Sequence, residues 1–299
     1  MLKLFLTCLL AVSAHALFAQ QDPLYAQYFN NPILLNPAYT GSQNNWQNVI
    51  GYRSQWGGFE GNPKSLSFSS HMPLVNNKVG LGLVFVQDKI GEITNTSVNF
   101  NYSYKIEKDL HSIHFGLSTG LTRYSVDAGD LTLYDVTDPN FESFNETQFN
   151  TGAGVMLRSD KYIFGLSVPR ILPSRISAGE HSLQVYQQHF YLYGGYVFYM
   201  NERWRFRPAT LLKATKGAPI SADLNLNFVL DDKYTAGVLT RNANTFGLLL
   251  QAKIKEYRLG YVFEVPAGSS VGQRFNSHEI TLTMSLPVLS SHEPSFSNF

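Results

Sequence analysis

From Val49 onward, apolar and polar residues alternate with a period of two, the signature of strands whose two faces meet different surroundings. The clearest case places Thr94, Thr96, Val98, Phe100, Tyr102, Tyr104 and Ile106 on one face. Asn95, Ser97, Asn99, Asn101, Ser103 and Lys105 fall on the other. The pattern returns in about fourteen runs, near 47–56, 63–72, 79–87, 93–106, 112–123, 148–158, 161–168, 188–200, 203–213, 220–230, 234–241, 244–254, 257–264 and 278–287. Many of these have the length of a tilted strand crossing a bilayer, about 9–11 residues. A soluble sandwich shows such alternation in a few strands, and here it spans most of the chain.

The connections follow a second rhythm. Tight, charged turns lie around Lys108-Asp109, Asp160, Asn201-Glu202, Asp231-Asp232 and Lys255-Glu256. Between them come long stretches at 124–147, 169–187 and 265–277, with 241–244 short where a loop had room to be long. Outer-membrane barrels combine short periplasmic turns with longer outer loops and have an even strand number. Around one tight turn cluster Tyr191, Tyr193, Tyr196, Phe198, Tyr199, Trp204 and Phe206, as in an interfacial girdle. The pattern predicts an all-β fold: a transmembrane antiparallel β-barrel of about 14 strands.

Ahead of the strands, the stretch from Gln21 to about Trp46 differs. Pro23, Pro32, Pro37, the pair Asn30-Asn31 and the turn Tyr39-Thr40-Gly41 exclude regular helix or strand. Yet Tyr25, Tyr28, Phe29, Ile33, Leu34, Leu35 and Tyr39 make it strongly apolar. An irregular segment of that composition must recover its ordering entropy by burial. It is expected to pack at or in the periplasmic mouth of the barrel. The extreme N-terminus reads as a signal peptide: Lys3, an apolar run from Leu4 to Val12, and small residues suited to cleavage after Ala16 or Ala19. The single cysteine, Cys8, lies inside that run. The expected organisation is a signal peptide at 1–19, an irregular plug-like segment at 20–46, a barrel at 47–287 and a tail at 288–299.

Composition narrows the function. The net charge of +1 offers no basic surplus for nucleic acid. After residue 20 no apolar run approaches the length of a transmembrane helix. Charges on a lipid face near the midplane cost about 2–4 kcal/mol each. Arg203, Arg205, Arg207 and Lys213, opposite Trp204 and Phe206, are therefore expected to face the lumen. So are Asp223, Asn225 and Asn227, opposite Leu224, Leu226 and Phe228, and Arg53 and Gln55 in the first run. These groups suit a partner, a plug or a solute, and equally ion pairs that fill a barrel. The loop 124–147 carries Asp127, Asp130, Asp135, Asp138, Glu142 and Glu146 without Lys or Arg, a set of hard oxygens compatible with Ca²⁺ but lacking the twelve-residue calcium-loop spacing. A solvated acidic loop explains it more simply.

No nucleophile elbow, zinc-protease helix or phosphate-binding glycine loop is present. His278 shares the outward parity of Ile280, Leu282 and Met284, and Ser54 is its one conceivable partner for a rim lipid hydrolase. Nothing supplies a third member, so no catalytic residue, metal or cofactor is expected.

Several motifs together resemble the PorP/SprF family of outer-membrane proteins from the type IX secretion and gliding machinery of Bacteroidetes. They are Gln21-Asp22-Pro23 with Tyr25 and Gln27-Tyr28, Asn36-Pro37-Ala38-Tyr39 with Gly41, and Tyr52-Arg53 with Gln55-Trp56. They continue through Gly58-Phe59, Gly61, Pro63, Gly80-Leu81-Gly82, Asp88 and Gly91, and end at Ser277-His278-Glu279-Ile280. In that family the final strand tends to close on an aromatic residue, whereas here it ends at Leu286-Pro287 and a tail from Val288 to Phe299 follows. The resemblance implies an outer-membrane barrel that assists export or surface attachment of a cognate adhesin-like protein, and contact with machine components on the periplasmic side. Tyr25, Gln27, Tyr28, Phe29, Asn36, Pro37, Tyr39 and Gly41 are the candidate plug or partner-binding residues. A passive porin-like channel remains the other reading, because fourteen strands lie between side-chain-filled and aqueous barrels.

Overall fold

The computed structural model describes residues 25–74, 77–108, 110–126, 144–178, 181–267 and 275–288. The expected signal peptide, most of the acidic loop 124–147 and nearly all of the tail lie outside these residues.

The first half of the barrel is β1 (Asn45–Ser54), β2 (Lys64–Leu74), β3 (Val79–Ile90), β4 (Ile93–Lys108), β5 (His111–Val126), β6 (Phe144–Arg158) and β7 (Tyr162–Val168). A separate hairpin, β8 (Ser174–Ala178) with β9 (His181–Tyr186), stands in the following connection, where the sequence predicts only a long stretch between strands. The second half is β10 (His189–Tyr196), β11 (Phe198–Tyr199), β12 (Trp204–Thr215), β13 (Ser221–Leu230), β14 (Tyr234–Arg241), β15 (Thr245–Ile254), β16 (Tyr257–Pro266) and β17 (Ser277–Pro287). Both β10 and β11 pair with β12, so they form one crossing interrupted at Val197. Every pairing is between antiparallel neighbours, β1 pairs with β17, and β10 pairs with both β7 and β12, which closes a barrel of fourteen crossings.

Alternation decides the faces. Along β5, Ser112, His114, Ser118, Thr122 and Tyr124 are buried while Ile113, Phe115, Leu117 and Leu121 are exposed. On β4, Phe100, Tyr102, Tyr104 and Ile106 point out, and Asn101, Ser103 and Lys105 point in. Large apolar side chains thus cover the outside and polar ones the inside, the inverse of a water-soluble barrel and the arrangement lipid demands. The two ends differ as well. One end carries tight turns, among them Asp231-Asp232, where two successive residues take positive φ (51° and 56°) as a two-residue hairpin requires. We call it the tight-turn end. The other, the long-loop end, carries the connections 55–63, 127–143, 169–188 and 267–276 beside the short 91–92 and 242–244.

The expected girdle is corrected in part. Tyr196, Phe198, Tyr199 and Trp204 are exposed at the tight-turn end, but Tyr191 and Tyr193 are buried in the lumen at 4% and 2% exposure. They stand at inward positions of β10, where they meet the N-terminal segment rather than lipid.

Parity is directly measurable. Cysteines at 204 and 206 are expected to react with membrane-soluble thiol reagents, and cysteines at 205 and 207 only with aqueous ones. The reverse pattern would refute the assigned faces of β12.

Candidate functional site: the occupied lumen

Residues 25–44 lie inside the barrel. Two short 3-10 turns shape them, Pro32–Leu34 and Pro37–Tyr39, each opened by a proline whose missing N–H costs nothing at a helix start. Asn36 caps the second turn by accepting from the Ala38 N–H at 2.8 Å. Tyr28, Ile33, Leu35, Ala38 and Tyr39 are buried together with inward residues of the wall, including Val84, Met156, Ile163, Tyr191, Tyr193 and Leu211. The hydrophobic core of this molecule is therefore its lumen. Phe29 is half-buried, against Tyr28 at 4.7 Å and edge-on to Tyr193 at 6.2 Å.

The segment runs nearly the length of the barrel, further than a closure of the mouth alone. Near the long-loop end, the backbone N–H groups of Ala26 and Gln27 donate to the Glu279 carboxylate at 2.7 and 2.9 Å. Thr281 Oγ1 donates to Gln27 Oε1 at 2.8 Å. Midway, Asn225 Nδ2 donates to the Tyr28 hydroxyl at 2.8 Å and Ser69 Oγ to Asn31 Oδ1 at 2.8 Å. Lower down, Asn36 Nδ2 donates to the Val155 carbonyl at 3.1 Å and Ser167 Oγ to the Leu35 carbonyl at 2.7 Å. At the tight-turn end the Gly41 N–H donates to His71 Nδ1 at 3.1 Å. There the fully buried Arg158 donates to the Ser42 carbonyl at 2.9 Å and to Ser42 Oγ at 3.0 Å, 5.9 Å from the centre of the Tyr39 ring.

Glycines make the wall concave where the segment rests. A Cβ on Gly116 would strike the backbone of Pro37 and Ala38, one on Gly80 the Thr40 carbonyl, and one on Gly154 the Asn36 side chain. Gly41 itself needs its φ of +62°, and its own Cβ would strike Gly80 and Met72 backbone.

Charges divide by end. Near the long-loop end, β13, β14, β16, β17 and β1 bring together Asp223, Arg241, Glu264, Glu279 and Arg53. Arg53 pairs with Glu264 and, at 3.2 Å, with Glu279, and Arg241 pairs with Asp223 at 3.0 Å and Glu264 at 3.7 Å. Buried charges of this kind persist only when paired.

The candidate residues fall as follows. Tyr25, Gln27, Tyr28, Phe29, Asn36, Pro37, Tyr39 and Gly41 are all in the lumen, Tyr25 and Phe29 half-buried. Arg53, Lys213, Asp223, Asn225 and Asn227 are buried inward groups, and Arg205 and Arg207 stand inward toward the tight-turn end. Two differ from expectation. Arg203 lies on the tight turn, 68% exposed, paired with Asp231 at 2.8 Å, which holds that carboxyl below its usual range. Gln55 sits at the long-loop rim beyond the end of β1, where its N–H meets the Pro63 carbonyl. Strand parity fails for both because each lies one residue outside its strand. Arg158, Arg241 and Glu264 are not singled out by the sequence, and Glu279 enters there only as part of the closing motif Ser277-His278-Glu279-Ile280. Their signal was a charge at the inward parity of a strand, readable only once closure shows which strands are neighbours.

His278 and Ser54 are register partners on β17 and β1. However, His278 Nδ1 meets the Tyr261 hydroxyl at 2.8 Å, and Ser54 Oγ accepts from Asn62 Nδ2 at 2.9 Å. They do not form a nucleophile–base pair. Among the described residues no group of three or more His, Cys, Asp or Glu side chains is placed to hold a metal ion.

A family model described as type IX secretion system membrane protein PorP/SprF matches residues 17–284. The chain belongs to this family. No curated protein sequence matches it. Among solved structures, the P. putida toluene transporter TodX shares 10% identity, with 88% of this chain and 94% of that chain covered and a TM-score of 0.51. The monoaromatic hydrocarbon channel CymD shares 12% identity over 90% and 94% of the two chains, with a TM-score of 0.50. At such identities these likenesses concern the fold alone: this PorP/SprF protein has the architecture of an outer-membrane barrel.

Proposed function

We propose that this PorP/SprF protein is an outer-membrane barrel of the type IX secretion and gliding machinery that assists export or surface attachment of a cognate adhesin-like protein. The tight-turn end faces the periplasm and its machine components, and the long loops face outward, following the loop-length rule of such barrels. Outer-membrane lipids surround the apolar outer face. The chain reaches the membrane as a signal-peptide-bearing precursor. It is read as a non-enzymatic component, with no cofactor in its role.

The observation that carries this reading is the N-terminal segment. It occupies the lumen, is hydrogen-bonded to the wall from Glu279 to Arg158, and rests on glycines that leave it room. A barrel filled in this way suits a scaffold better than an open pore. The segment sets whether the lumen admits a partner peptide and links the two ends of the barrel. Deleting residues 24–40 while keeping the signal peptide should leave a membrane-inserted barrel that no longer supports surface display of its cognate protein. Normal display at equal barrel abundance would reduce the segment to a structural clasp. A passive channel makes the opposite prediction for the intact protein. The filled lumen should give no steady ion conductance in a planar bilayer, and a stable conductance would favour the channel.

A further inference from the structure

Beside the N-terminal segment the tight-turn end retains an open cavity of about 140 Å³. Its wall carries five cationic side chains, Arg205, Arg207, Lys233, Lys253 and Arg258, against two carboxylates, Asp232 and Glu256. The balance of charge is opposite in kind to the carboxylate-rich network at the other end of the lumen. Phe29 and Tyr39 of the segment form part of the same lining, as do Gln43 and Gln47.

Arg258 decides what the cavity can take. It stands at an inward position of β16, between the exposed Tyr257 and Leu259. Of the two lining carboxylates, Asp232 is already held in an ion pair by Arg205. Glu256 is exposed at the rim. Among the described lining residues five cations thus stand against two carboxylates, and a guanidinium presents a planar fork suited to carboxylates. The cavity is separated from lipid by the strands whose outer faces carry Trp204, Tyr257 and Leu259, exposed at 42%, 50% and 55%. A lipid headgroup has no lateral route into it. An extended peptide entering from the aqueous side does, and amide and hydroxyl groups of Asn45, Gln47, Thr283 and Ser285 stand along the wall to meet its backbone.

We propose that this cavity docks an acidic peptide segment of a periplasmic protein, with Arg258 and Arg207 receiving its carboxylates and the N-terminal segment forming one side of the site. The proposal rests on the orientation given above and names the chemistry of the periplasmic contact.

The test uses the purified full-length protein in detergent and a fluorescent oligoglutamate peptide, followed by anisotropy at low salt. Saturable binding is expected. Replacing Arg207→Gln and Arg258→Gln together should weaken it at least tenfold. Arg203→Gln removes one cation from the same end but outside the cavity and should change binding less than twofold. Equal weakening by Arg203→Gln and by the arginine pair would reduce the effect to net charge and overturn the site. Displacement of the peptide by inorganic phosphate at equal concentration would show a small-anion site instead. Loss of the variants' effect in nanodiscs containing anionic lipid would show a headgroup site. Either result overturns the proposal. Heat-modifiability on gels checks folding. Where the arginine pair fails that check, Lys233→Gln with Lys253→Gln, both exposed at the rim, carries the same readout with the same tenfold expectation. A failure of orientation is separable: Lys253→Cys labelled from outside intact cells by an impermeant reagent would overturn the periplasmic reading while peptide binding stood.

Discussion

Gly116→Ala is expected to unseat the lumen segment, and Gly116→Val to do so more completely. The added Cβ would overlap the backbone of Pro37 and Ala38, which cannot rotate away as a side chain would. Over-packing of this kind costs about 1–3 kcal/mol where neighbours relax, and more where backbone must move. The turn at Pro37–Tyr39 is fixed by Pro37, by Asn36 and by the wall, so relaxation is poor there. The measurable outcome is a lower temperature for the gel shift from folded to unfolded barrel, together with new protease cleavage between residues 25 and 44. Gly57→Ala is the matched control. Its nearest neighbour is the Asn276 carbonyl at an ordinary 3.6 Å, and a change within about 0.5 kcal/mol is expected. An unchanged Gly116→Ala protein would mean that the segment does not rest against β5.

Arg53→Met is expected to have the largest single effect among the buried charges. Arg53 is 4% exposed and is the shared cation of Glu264 and Glu279, at 1% and 3%. Removing it leaves Glu279 without an ion-pair partner and Glu264 with only Arg241, at 3.7 Å. Breaking a buried pair by deleting one partner costs about 3–5 kcal/mol, because a charge stays behind without compensation. Glu279 also accepts from Ala26 and Gln27, so its repositioning should loosen the segment at that end. Combining Arg53→Met with Glu279→Gln removes the stranded charge and should recover much of the loss, while Arg53→Lys should recover less because one ammonium cannot serve two carboxylates in fork geometry. Thermal unfolding of the purified barrel reads all three. Equal stability of Arg53→Met and the wild type would show that the network does not hold this wall together.

Most of the barrel is legible in the sequence, and for a local reason. Lipid outside and a polar interior impose opposite demands on successive residues of a strand, so each crossing writes its own two-residue period into the chain. All fourteen runs correspond to crossings, with ends displaced by a few residues. The N-terminal segment was legible too, since three prolines forbid regular structure and its aromatics demand cover. Where the reading slipped, a local rule met a non-local fact. Tyr191 and Tyr193 look like girdle residues beside Tyr196 and Phe198, but the segment supplies an apolar surface inside the lumen and they turn toward it. The hairpin β8–β9 is not legible in the sequence, because its connection carries no run of alternation long enough to separate it from a loop.

The sequence by itself determined that this chain is a barrel, which face of most strands meets lipid, which end carries the tight turns, and that the aromatic, proline-rich stretch ahead of the first strand requires burial. Each of these follows from neighbours along the chain. The tertiary structure alone decided the path of the segment, the pairing of Arg53 with Glu264 and Glu279, the burial of Arg158 on Ser42, and the cationic cavity around Arg258. Many of those contacts join residues more than a hundred positions apart. They exist only because β1 closes on β17 and β10 on β12, and the resulting lumen is too narrow for a polar wall and an irregular segment to avoid one another.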